Sequence, residues 1–112
     1  MSAINKQSVV WALKELASRE EQERLWLSDG SSGRVSSFIE AICGVYDDGG
    51  VSRALNSNGL PIELATRFKD LSMSIDKVPQ EVPPQEQIDH PAMIEIIRLS
   101  KELLELIAKN SD

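Results

Sequence analysis

Residues 36–50, SSFIEAICGVYDDGG, decide how this chain is read. Ser37 stands three residues before Glu40, the spacing of a capping box. There a serine oxygen accepts from a free amide at a helix start, and the glutamate reaches back to the serine amide. Ser36 is an alternative cap one residue earlier. Phe38, Ile39, Ile42, Val45 and Tyr46 follow at spacings of three and four, the period of one helix face. Ala41, Cys43 and Gly44 are small, so a neighbouring helix is expected to approach closely here. Asp47 and Asp48 then fall at a helix end, where partial negative charge prefers cations. Two readings of this pair stay open. Asp48 caps a short helix over residues 51–55, with Gly49 and Gly50 making the bend, or both carboxylates are presented to a positively charged partner.

On the N-terminal side, a first helix is expected over residues 5–17. Val9, Leu13, Leu16 and Ala17 line one face, Val10 and Ala12 lie beside them, and Trp11 is on the flank. Ser18 opens a second capping box with Glu21. Glu20 and Arg24 are four residues apart and spaced to pair. Leu25, Trp26 and Leu27 are consecutive and apolar, which predicts burial on several sides of that turn. Residues 28–33, SDGSSG, read as a loop, and their spacing matches no phosphate-binding glycine motif.

On the C-terminal side, residues 56–59 have turn chemistry, and Pro61 sits where proline is favoured, in the first turn of a helix. Leu64, Phe68, Leu71 and Ile75 form an amphipathic stripe, with Met73 expected as gap-filling core. Residues 78–91 hold four of the chain's five prolines and read as a spacer without a PxxP motif. The last helix is expected to start near residues 89–91, with Asp89 or His90 as cap, and to run to Lys109. Its apolar residues from Met93 to Ile107 make a face too wide for one partner helix. That predicts either central packing or sharing with a second copy.

These segments predict an all-α fold in one domain. It is a bundle of about five helices, with a helical core over residues 1–77, a proline-rich linker over 78–91 and a C-terminal helix over 92–109. A chain of 112 residues can bury a core without metals or disulfides, and only five residues are aromatic, so that core is mainly aliphatic. The formal net charge is −6, which argues against nucleic acid as a ligand and favours a basic partner. Cys43 is the one cysteine, flanked by apolar residues, and is expected to be a buried thiol rather than a nucleophile. No signal peptide and no membrane-length apolar run are recognised, so a cytoplasmic protein is expected.

Catalytic chemistry has little to build on. His90 is the one histidine and lies in the spacer, and a zinc site from His90 and Cys43 lacks two ligands. Adjacent carboxylates at Asp47–Asp48 and Glu20–Glu21 diverge by about 100° on a helix, and DDGG lacks the ligand spacing of a calcium loop. The expectation is therefore no enzyme, no cofactor and no metal.

The pattern ALKELASREEQERLW followed by SSFIEAICGVYDD resembles small helical bacterial proteins related to the immunity proteins of polymorphic or contact-delivered toxins. The resemblance covers about residues 9–76 and is carried by Gln22, Arg24, Trp26, Phe38, Glu40, Ala41, Tyr46, Asp47 and Asp48. It implies binding of a basic toxin domain through an acidic surface. Glu40, Asp47 and Asp48 are then the acidic contacts, and Trp11, Trp26 or Tyr46 the aromatic anchors. The alternative is a regulatory or scaffolding module that dimerises, or docks a partner helix, through its apolar C-terminal helix.

Overall fold

Side-chain caps start three helices. Asn5 Oδ1 accepts from the Ser8 amide, Ser18 Oγ from the Glu21 amide and Ser37 Oγ from the Glu40 amide, at 3.2–3.3 Å. They open α1 (Lys6–Leu16), α2 (Arg19–Trp26) and α3 (Phe38–Tyr46). The computed structural model describes residues 4–28 and 35–110, so the loop expected at 28–33 lies outside them apart from Ser28. Four more helices follow: α4 (Val51–Asn56), α5 (Ile62–Ile75), α6 (Pro84–Ile88) and α7 (Ala92–Lys109). Among the described residues the fold is all-α, with seven helices rather than about five and no strand.

The extra helix, α6, lies inside the stretch expected to be a spacer. Pro84 occupies its first turn, where a missing N–H costs nothing. The segment is also anchored rather than free-running. Val78 and Ile88 are buried, Gln87 Nε2 donates to the Pro79 carbonyl (3.0 Å), and Arg19 on α2 pairs with Asp89. Neither Asp89 nor His90 is the N-cap of α7: that position is Pro91, which has no side-chain capping bond, and His90 Nδ1 accepts from the Ala92 amide one residue further in (3.1 Å).

α1 packs against α3 and α7, and α7 against α5. Leu64, Phe68, Leu71 and Ile75 of α5 are all buried, as the stripe predicts. Met73 is not core; it stands two residues from both Leu71 and Ile75, about 200° away on the helix, and is exposed. Met93, Ile96, Leu99, Leu103 and Ile107 of α7 are covered within the chain, while Ile94 stays exposed. Arg67 Nε on α5 donates to Glu102 Oε1 on α7 at 3.0 Å, and Arg98 bridges Glu95 and Glu102 along α7.

Two local expectations are corrected on α2. Leu25 and Trp26 are buried but Leu27, the C-cap residue just beyond the helix, is exposed. Arg24 pairs with Glu21, not Glu20, through two bonds of 2.8 and 2.9 Å. No helix of the described residues is long and apolar enough to cross a membrane.

Candidate functional site

The crossing of α1 and α3 is where the small residues of the opening stretch act. A Cβ at Gly44 would sit 2.9 Å from the Ala12 methyl, so the two helices touch nearly backbone to backbone there. Ser8 Oγ donates to the Gly44 carbonyl at 2.8 Å and ties the helices together. Where α3 ends, the amides of Asp47 and Asp48 both donate to the Cys43 carbonyl, at 2.9 and 2.8 Å. Gly49 then returns the chain onto α1, and its carbonyl accepts from the Asn5 amide at 2.8 Å. Gly50, with φ 78°, is the N-cap of α4 and offers no side chain, so the expectation that Asp48 caps this helix is not met. The turn leaves Asp47 and Asp48 exposed.

Beside this crossing lies a groove of about 480 Å³ between α1 and α3. Trp11, Glu40 and Asp48, three of the residues singled out in the sequence, line it together. Trp11 is 63% exposed, and Val35 just before α3 is also exposed. Glu15 adds a third carboxylate, and no lysine or arginine is among the described lining residues. One wall is thus aromatic and apolar and the rim is acidic, a combination suited to a cationic side chain with an apolar stem.

Glu15 was not singled out from the sequence. It is 6% exposed, and its Oε2 accepts from Trp26 Nε1 (2.9 Å) and from Ser36 Oγ (2.8 Å). The available signal was the series Ser8, Ala12, Glu15, which follows one flank of α1 at helical spacing. Gln22 is fully buried next to it, its Nε2 donating to the Glu15 and Leu16 carbonyls.

The other three residues are not brought to the groove. Trp26 is 4% exposed, donates to Glu15 and packs on Phe38 with ring centroids 5.6 Å apart, so it is a core residue and not a surface anchor. Tyr46 is half-buried on another side of α3. Its hydroxyl donates to the Phe68 carbonyl (2.7 Å) and its ring meets Phe68 edge-on at 6.4 Å, which leaves it little to offer a partner. Asp47 is exposed but does not line the groove. Cys43 is half-buried rather than buried; burial and the neighbouring Asp47 carboxylate push its thiol above the ordinary value.

Burial, and secondarily the charge of Asp76, also pushes the Tyr46 phenol up. The folded value lies above the unfolded one of about 10. Its contribution to stability is therefore complete below that pH and is lost as pH rises through the folded value. Tyr46 is the one tyrosine, so phenolate absorbance reports it alone. The expected titration of the native protein runs clearly above pH ~10, with unfolding accompanying ionisation. A reversible native titration at the free-tyrosine value would show the phenol to be solvated.

Among the described residues, no group of three or more His, Cys, Asp or Glu side chains could hold a metal ion. No family model, curated protein or solved structure matches this chain.

Proposed function

We propose that this chain is a non-enzymatic protein-binding domain, an immunity protein that neutralises a basic bacterial toxin by gripping it at the α1–α3 groove. One observation supports this most. Exposed Trp11 and Val35 share a groove with Glu40, Asp48 and the deep-set Glu15, with no basic side chain among the described lining residues. An aromatic anchor with an acidic rim is the chemistry that receives lysine and arginine side chains from a partner. The acidic rim draws a basic partner in and sets orientation, and Trp11 supplies the desolvated contact that slows its departure. The close crossing at Gly44 and Gly49 holds Trp11 on α1 and Glu40 on α3 side by side before any partner arrives, which lowers the ordering cost of binding.

Within this reading the acidic contacts narrow to Glu40 and Asp48, with Asp47 outside the groove, and the aromatic anchor narrows to Trp11. This reading expects a larger toxin gene directly beside the chain's own, and the test is co-expression with the product of that gene. Wild-type chain should protect the cells. Trp11→Ala combined with Glu40→Lys and Asp48→Lys should bind that product about 100-fold more weakly, roughly 3 kcal/mol, and lose protection while keeping full helicity. Protection by the triple variant equal to that of wild type would sink the assignment.

A further inference from the structure

The helix that forms one wall of the acidic groove has a second face of opposite sign. Taking 100° per residue, Ser8, Ala12 and Glu15 lie roughly 40–100° to one side of Trp11 on α1. Lys14, Val10 and Lys6 lie roughly 60–140° to the other side. That second flank is a groove of about 440 Å³ shared with α7, floored by Val10, Leu104 and Ile107, with Lys6 and Lys14 as its charged lining residues. Lys6 and Lys14 are two turns apart, about 12 Å along the helix. An exposed tryptophan ridge therefore separates an acidic groove from a basic, apolar-floored one.

A patch of this kind is complementary to itself. A two-fold axis running along the ridge, in the plane of the interface, sets each flank of one copy against the opposite flank of the other, which is what an isologous interface requires. We propose that a second copy of this chain docks across α1, with the two Trp11 side chains near the axis. Lys6 and Lys14 of each copy face Glu40 and Asp48 of the other. The occupant is a second copy because both halves of the charge complementarity are present in this one chain, on adjacent flanks of one helix. The inference goes beyond the binding of a foreign partner and does not depend on it. Where both hold, self-association covers the groove and a basic partner must displace the second copy.

Sedimentation equilibrium of the full chain tests this without any foreign partner. The wild-type mass should rise from 12.4 kDa towards twice that value between about 10 µM and about 1 mM. Lys6→Glu with Lys14→Glu makes the exposed charges of the face acidic, and Glu40→Lys with Asp48→Lys makes them basic, the buried Glu15 being left in place in both; all four substituted residues are exposed. Each double variant alone should self-associate at least about tenfold more weakly. An equimolar mixture of the two should associate again, because every contact across the axis then has opposite signs. If the lysine variant loses helicity, Glu40→Gln with Asp48→Asn replaces it and must also weaken self-association. A wild-type chain that stays at 12.4 kDa throughout overturns the proposal. So does undiminished association of either variant, which would place the contact on another face, or failure of the intact mixture to associate.

Discussion

Gly49→Ala is expected to lower the stability of the protein by about 3 kcal/mol, with a fall in Tm of more than about 10 °C. The reason is space, not backbone conformation, since Gly50 is the glycine here with positive φ. A Cβ on Gly49 would lie 2.3 Å from the Val45 carbonyl oxygen, 2.7 Å from that of Gly44 and 2.5 Å from Val9 Cγ2. Two of those atoms are backbone of the last turn of α3, and the third belongs to a fully buried side chain. None can swing aside. The turn must therefore shift away from the last turn of α3 as well as from α1, and the Asn5-to-Gly49 hydrogen bond just before α1 is strained with it. Gly50→Ala provides the contrast, because there the cost is that of a left-handed residue, about 1–2 kcal/mol. Denaturant unfolding of both variants at unchanged m-value measures the difference. A Gly49→Ala protein as stable as Gly50→Ala would mean the turn has slack that the contact distances deny.

The second large effect is expected at Glu15. Replacing it by alanine removes the acceptor of Trp26 Nε1–H and of Ser36 Oγ–H together. Trp26 is buried, so its donor is left without water or protein to bond. The expected loss is about 2–4 kcal/mol, combining an orphaned donor with the small cavity left behind. Glu15→Gln keeps an acceptor oxygen at the same reach and should lose only about 1 kcal/mol. In a Trp11→Phe background, emission reports Trp26 alone, because the chain has two tryptophans. Glu15→Ala should shift that emission in the native state and Glu15→Gln should leave it nearly in place. Equal destabilisation by the two substitutions would show that the carboxylate charge, rather than its acceptor geometry, holds the site.

Both predictions bear on the proposed function, since both residues lie at the α1–α3 crossing that forms the groove. Gly49 sets how closely the end of α3 approaches α1, and hence where Asp48 stands. Glu15 joins α1 to Trp26 on α2 and to Ser36 at the entry to α3, at the groove's inner side. If the proposed partner binding at this groove holds, a change at either position is expected to weaken it through misplacement of Trp11 and Asp48, even though neither substitution touches the exposed rim.

Local chemistry in the chain was enough to specify much of this molecule. Ser18 and Ser37 start helices because their hydroxyls reach free amides three residues on, an interaction that needs no tertiary partner. Leu64, Phe68, Leu71 and Ile75 face inward because a 3.6-residue period puts them on one stripe, whatever covers it. The small residues Ala41 and Gly44 foretell a close neighbour because nothing else fills that side of α3. What local pattern cannot carry is which neighbour arrives, and at what angle. α6 forms inside a proline-rich stretch because Arg19, from another helix, and the core beneath Ile88 hold it there. Trp26 is core and Trp11 is surface although both stand on amphipathic helices. The difference is a buried carboxylate eleven residues away that only the folding of α2 against α1 brings within 2.9 Å. Asp48 faces a groove and Asp47 does not because a turn of two glycines, packed on Val9, settles their directions. Helix starts and stripes are properties of short segments, whereas a groove is the gap between two of them and exists only once they have met.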